Sequence, residues 1–302
     1  MMEEFRELAR RFASERVAPL VRACGGDGCL DELRKALDEA LGLGFAHDEL
    51  GIWGRNSLEE GALGSVLMLE EFAIEHAGFA LCLHAKGILS LLREAPPDEC
   101  AVCMEGVVLA VDRPHYVVAL GEALTMHKAP SLCELVPRTG LALVSLYRLE
   151  GGEIQALVDG KVMLAAHLLG LTAVALGNAK GALRDAVTYA SQRLQGGRPI
   201  KEYGAVKRLL GGAHCRVSTV ELGLRCAAVE FPKTSLPSLW GLWNTSRQLL
   251  LEAVSDCLQV FGGYGYMEDY GMERRLRDAM TLRGLPPSVV RLEAMLAEGG
   301  QR

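Results

Sequence analysis

Several things are scarce in this 302-residue sequence, and each scarcity excludes something. Positive charge comes first: 32 lysines and arginines face 38 acids, for a formal net charge of −6 and a pI near 5.7. A nucleic-acid partner therefore lacks electrostatic support, since phosphate backbones are held by a basic surplus. No apolar run reads as the roughly eighteen or more residues of a membrane span. No signal peptide precedes the first polar helix, and the expected location is cytoplasmic. The lone pair Cys100-Ala-Val-Cys103 has no second pair and no His-x-x-x-His pattern to complete a zinc site, so no metal is expected. Nine cysteines are present, but an odd number scattered among apolar neighbours makes no disulfide framework. Cys82, Cys226 and Cys257 read as small core residues inside helical patterns. Cys24 and Cys29 flank a Gly-Gly-Asp-Gly turn and read as loop residues.

What is present suits a globular chain, half hydrophobic and 23% charged, long enough for one large domain or two smaller ones. Phe5, Leu8, Phe12, Val17 and Leu20 recur at helical spacing over residues 2–22. Asp31 is a plausible N-cap for a helix through Leu41. Gly42 to Asn56 is loop-like, and Ser57-Leu58-Glu59-Glu60 opens a third helix, broken near Gly78 and ending at Leu92. Pro96-Pro97-Asp98 marks a boundary. Four short β-type runs follow: 107–111, 116–120, 141–147 and 154–158. Turns at Asp112-Arg113-Pro114, Arg138-Thr139-Gly140 and Gly151-Gly152 separate them. The first and third runs barely alternate, which predicts burial on both faces and apolar surface for another chain to cover. Helices resume at Val162–Gln195, Lys201–Glu230, Leu239–Val260 and Ser288–Glu298, with a turn at Thr281–Pro287. Trp240 and Trp243, on one helix face, read as core or interface anchors. Three domains are expected: residues 1–97 helical, 98–160 strand-rich, 161–302 a helical bundle.

The stretch that carries most information runs from Gln259 to Asp278. An Ala/Leu-rich helix stops at Gly262-Gly263, where glycine tolerates left-handed dihedrals. Gly265 extends the bare backbone, and after Gly271 a helix begins that carries Arg274, Arg275, Arg277 and Asp278. Exposed amides at a turn between helices, with arginines close by, suit an anion such as a pyrophosphate; a Gly-rich connector between packed helices satisfies the same pattern.

Gln259, Gly262, Gly263, Gly265, Tyr266, Asp269, Arg274 and Asp278 reproduce, spacing for spacing, the C-terminal motif of the acyl-CoA dehydrogenase family. Two further stretches resemble that family: Phe5 to Pro19, like its opening helix, and Tyr189-Ala190-Ser191-Gln192-Arg193 with Gly197-Arg198-Pro199-Ile200. The resemblance implies a mainly α fold with a small β domain: a helical N-terminal domain, a shortened β domain and a C-terminal four-helix bundle. It implies FAD held across a subunit interface, with Arg193, Gln259, Gly262, Gly263 and Gly265 at the pyrophosphate. It implies as partners acyl-CoA dehydrogenase-like subunits in a homo- or hetero-oligomer, an acyl-CoA substrate of the assembly, and an electron-transfer flavoprotein.

The chain also departs from the family. Gly196 stands where the family has phenylalanine. Arg277-Asp278-Ala279 is followed by Met280 to Ser288 with no acid, where the family places its catalytic glutamate. The alternative base position, counted back from Gly177, holds His167 beside Leu168, and His167 is the one titratable candidate. The Thr-Glu-x-x-x-Gly-Ser-Asp flavin motif and the Trp-x-Thr that covers the flavin ring have no counterpart, and the strand-rich insert is about half the family's length. The expected function is therefore a subunit that contributes an FAD pyrophosphate half-site to an assembly oxidising acyl-CoA thioesters. The alternatives are a self-sufficient acyl-CoA oxidoreductase with an unrecognised base, and a non-catalytic helical interaction protein.

Overall fold

The computed structural model describes residues 2–288 apart from 24–28, 47–48, 50, 55–57, 59–60, 93–98, 122 and 137–139. The readings at Ser57–Glu60 (Leu58 apart), Pro96–Asp98, Arg138-Thr139 and the final helix beyond Ser288 therefore lie outside the described residues. Helix α1 (Met2–Phe12) runs through a π-helical turn (Ala13–Val17) into α2 (Ala18–Ala23). Helix α3 (Leu30–Gly42) is capped by Cys29 without a side-chain bond, and Asp31 sits inside its first turn rather than at the cap. Cys29 lies in a turn, as expected, but is also disulfide-bonded. Helices α4 (Leu63–Glu75) and α5 (Ala77–Gly87) meet at His76, two residues before the expected break; the extended His76 accepts the Phe79 N–H on its own ring nitrogen.

Five strands follow: β1 (Cys100–Met104), β2 (Val107–Ala110), β3 (Tyr116–Leu120), β4 (Ala123–Glu134) and β5 (Ser145–Asp159). They close into a barrel in the order β1-β2-β5-β4-β3, sealed by the parallel β1–β3 pair. Gly151 and Gly152 form no turn. They lie within β5, opposite irregular register around Ser131, so the two last expected strands are one. Leu141–Val144 lies ahead of β5, outside the strand.

Strand β2 and the start of β5 are largely buried on both faces, as their sequences predict, but the chain covers them itself. Ala101, Cys103, Val108, Val117, Leu132 and Tyr147 fill one cluster, while Cys100, Val102, Leu109 and Val118 join the main core with the helices. That correction follows from closure: a barrel buries its inner face within itself. It also places Cys100 and Cys103 on opposite faces of β1, and burial pushes both thiols up to about 11. Among the described residues no cluster of metal-ligating side chains is found.

Helix α6 (Lys161–Gln192) is the spine. By length and composition it could cross a membrane, against the reading of the sequence, but 94% of its apolar window is buried inside the fold. Gly177 lets α4 cross it closely, with the Glu70 carbonyl 2.5 Å from where a Cβ would stand. After a small hairpin, β6 (Leu194–Gln195) and β7 (Arg198–Pro199), come α7 (Gly204–Val229), α8 (Leu236–Phe261) and α9 (Met272–Gly284). Ser235 caps α8 by accepting the Ser238 N–H at 3.3 Å. Thr281 to Gly284 continue α9 rather than turning. Trp240 and Trp243 are buried anchors, as expected; Cys226, expected in the core, is exposed. Helices α6 to α9 form the four-helix bundle.

Candidate functional site at the glycine-rich turn

Helix α8 ends because Gly262 adopts φ 59°, ψ −137°, a conformation glycine alone takes at little cost. Two short 3-10 turns, Gly262–Tyr266 and Glu268–Tyr270, lead to Gly271 at φ 65° and into α9. The three central glycines have different reasons. Gly265 is buried, and a Cβ there would stand 2.8 Å from the Leu258 carbonyl, so helix packing accounts for it. Gly262 and Gly263 are exposed with no atom of the chain within 4 Å of an added Cβ. Gln259, on the last turn of α8, is exposed beside them.

The second stretch arrives from the far end of α6. The Tyr189 ring stacks on Phe261 at 4.2 Å, and Tyr270 packs edge-on to both Tyr189 and Tyr264. This aromatic cluster brings the Arg193 guanidinium over the Tyr264 ring, 5.4 Å from its centroid. Arg193 is itself exposed. Gly196 and Gly197 make the β6–β7 turn with φ 57° and 81°, which explains glycine at position 196: paired positive dihedrals belong to the tightest hairpin turns.

The arginines downstream of the turn are not offered to a ligand on that face. Arg274 pairs with Asp278 at 3.2 Å, Arg275 with Asp185 at 2.9 Å, and Arg277 with Glu273 at 2.7 Å. On the other side of the turn lies a cleft of about 430 Å³ bounded by Arg22, Glu75, Arg184, Asp185, Tyr270 and Arg275. Four of its charges are spent on each other, Glu75 with Arg184 and Asp185 with Arg275. Sequence reasoning missed these inward pairs. Only the i, i+4 spacings of Arg274 with Asp278 and of Glu273 with Arg277 hinted at two of them.

His167 is 1% exposed, deep in the core. Trp53 Nε1 donates to His84 Nδ1 at 2.9 Å, and His84 Nε2 lies 3.0 Å from His167 Nδ1. Since His84 Nδ1 accepts, the neutral ring carries its proton on Nε2 and donates it to His167. Burial lowers His167 to about 3. Gly170 leaves the space that the His84 ring occupies. The candidate base at this position is thus a buried, weakly basic core residue.

Residues 163–285 match the family model described as acyl-CoA dehydrogenase, C-terminal domain. The C-terminal part of the chain is similar to the acyl-CoA dehydrogenase family. An acyl-CoA dehydrogenase of Bacillus subtilis (strain 168) is 35% identical over 122 residues, which is 37% of this chain and 30% of that protein. The curated relatives are matched over about a third of their own length, 32% and 33% for two more of them. The structure of butyryl-CoA dehydrogenase from Megasphaera elsdenii superposes with a TM-score of 0.77 at 17% identity, covering 100% of this chain and 98% of that one. A glutaryl-CoA dehydrogenase from Mycobacterium smegmatis, in complex with FADH2, gives a TM-score of 0.70 at 13% identity over 93% and 89% of the two chains.

The similarity to the family lies in the bundle, where both motif stretches converge. The departures lie elsewhere. Where the family carries its glutamate after the Arg-Asp-Ala, this chain continues α9 to Gly284 and then Leu285-Pro286-Pro287. At the family's alternative base position it has the sealed Trp53–His84–His167 chain.

Proposed function

We propose that this chain is a subunit of an acyl-CoA dehydrogenase assembly, in which it grips the pyrophosphate of an FAD whose flavin ring belongs to a partner subunit's site. The observation that carries the proposal is a contrast within one fold. Arg193, Gln259 and the open backbone of Gly262-Gly263 share an exposed face, while the base position is sealed in the core. On that face the residues fit the group: glycine backbone with no side chain across it, although the Gly262 N–H itself bonds the Gln259 carbonyl, and a guanidinium held nearby by Tyr264.

Bound FAD would supply the hydride acceptor for α,β-dehydrogenation. The chain's own part is binding and orientation. Arg193 offers up to five N–H donors to phosphate oxygens in a charge-assisted contact. Gly262 and Gly263 let the backbone come close, and Gln259 adds an amide. The exposed Tyr264, Tyr266, Met267 and Tyr270 beside them suit coverage by a partner subunit of the same family, which would bring the α-proton base. The electron acceptor of such an assembly would be an electron-transfer flavoprotein.

The test is co-expression with a full-length family member, followed by flavin spectroscopy and turnover of acyl-CoA with an artificial acceptor. A complex that retains flavin, with no turnover by this chain alone, is the expected result. Turnover by the isolated chain that survives His167→Ala would overturn it and point to a self-sufficient enzyme. A stable complex without flavin would leave an interaction protein on the family's fold.

A further inference from the structure

Helix α9 carries Arg274 and Asp278 one turn apart, both 2% exposed. Asp278 Oδ1 accepts the Leu141 N–H at 2.6 Å, and Oδ2 accepts Arg274 Nη1 at 3.2 Å. Leu141 belongs to the segment between β4 and β5, is fully buried, and sits at φ 58°, a left-handed conformation that a leucine holds only when its surroundings impose it. The residue before it, Gly140, lies directly on α9. A Cβ there would overlap the Arg277 carbonyl and stand 2.7 Å from the Asp278 amide nitrogen. From the same helix, Arg274 Nη2 donates to the Glu75 carbonyl at 3.3 Å, satisfying a carbonyl left open at the end of α4. Asn178 of α6 donates to the Arg275 carbonyl at 2.9 Å.

One helix is therefore tied at one point to the strand barrel, to the N-terminal helices and to the spine. Immediately upstream stand Gly271 and Tyr270. The Tyr270 ring packs on Tyr189, Phe261 and Tyr264, so it links the start of α9 to the ring that holds Arg193. A shift of α9 moves Tyr270, and through it the face that carries Arg193 and Gly262-Gly263.

We propose that Arg274 and Asp278 are positioning residues for that face: they lock α9 to the β4–β5 segment and thereby hold the glycine-rich turn in its binding geometry. The proposal rests on reading the turn as half of a pyrophosphate site. It gives the buried pair a task beyond stability, and it makes the barrel's β4–β5 segment a distant determinant of flavin affinity.

Two variants approach the lock from opposite sides. Asp278→Ala removes the carboxylate from α9, and Gly140→Ala presses the β4–β5 segment off α9 while leaving every side chain of α9 in place. Hydrogen–deuterium exchange on the full chain should show amides 262–271 exchanging at least about tenfold faster in both variants, with the middle of α6 unchanged. In the flavin-containing complex, well below the melting temperature, both should weaken flavin affinity about tenfold. Asp278→Asn, which keeps an acceptor for Leu141, should lie between. Unchanged exchange at 262–271 in both variants, or exchange that rises equally in α6, would overturn the proposal. So would loosened exchange with unaltered flavin affinity. A wild-type complex that retains no flavin would defeat the half-site reading instead, and the exchange data would still decide whether the lock holds the turn.

Discussion

Gly262 and Gly263 are adjacent glycines, yet the backbone asks different things of them. Gly262 has φ 59°, ψ −137°, close to a region that side chains pay about 1–3 kcal/mol to enter. Gly263 has no positive φ, and a Cβ there would point into open space. Gly262→Ala should therefore lower stability by about that amount, while Gly263→Val should stay within about 0.5 kcal/mol of the parent. In a flavin-containing complex the order reverses in meaning, because Gly263→Val would strip flavin without melting the fold. Arg193→Ala joins the second group. Its exposed contact with Tyr264 is worth at most about 1 kcal/mol, whereas loss of a charge-assisted phosphate contact costs flavin affinity about tenfold or more. Melting temperature and retained flavin, measured on all three variants, check this. Equal melting losses at 262 and 263 would show that the turn is glycine-rich for folding alone.

Among the elements, the crossing of α4, α6 and α7 depends on one buried acid. Glu70 of α4 receives two bonds from Arg225 of α7, at 2.5 and 2.7 Å, and one from Lys180 of α6 at 2.9 Å. Glu221 completes the set by bonding both cations. Glu70→Ala would leave two cations with Glu221 alone, though their side chains keep about a fifth of their exposure, 21% and 19%. The expected cost is about 3 kcal/mol, the low end for breaking a buried pair. Glu221→Ala, at 36% exposure, should cost no more than about 1 kcal/mol. Urea unfolding of the two variants separates them, and similar midpoints would reject Glu70 as the keystone. No such network was legible in the sequence, because its members lie 110 and 155 residues apart and Glu70 sits inside an apolar helix. The helices themselves were legible from their spacing, as were the glycine stop at Gly262 and the helix start after Gly271, where a local dihedral demands the residue. Strand β1 escaped because it is buried throughout and never alternates. Strand β4 escaped because Lys128, Pro130 and Ser131 disguise it. The inward aim of Arg274 and Arg275 followed only from the packing of α9 against three neighbours.

Across the whole molecule, three buried histidines join the helical layers: His76 between α4 and α5, His84 on α5 and His167 on α6. Burial lowers all three, to about 3 for His167, helped at His76 by Arg274 and Arg275 and at His84 by His167. The sign follows from which state binds protons. Below the ordinary histidine value of about 6.5 the unfolded chain takes up protons that the folded chain refuses, so stability falls as pH falls. It is fully present above about pH 6.5 and continues to drop until each folded-state value is passed. Between pH 7 and 5 His167, lowered to about 3, should remove about 2 kcal/mol, and His76 and His84 act in the same direction. Carboxylates do not confuse this window. Burial opposes the shift, but Arg10 and Arg6 hold Glu71 below its usual value, as Lys180 and Arg225 hold Glu221, so their stabilisation is lost only at lower pH, below about 4.5. Urea unfolding at pH 7, 6 and 5 should show a steep decline, equivalent to uptake of up to about three protons. His167→Asn should lower stability at pH 7 by breaking the Trp53–His84–His167 chain, yet flatten the decline by about one proton. A parent profile level from pH 7 to 5 would mean that these imidazoles meet water in the folded chain, and the sealed-core account of the base position would fall with it.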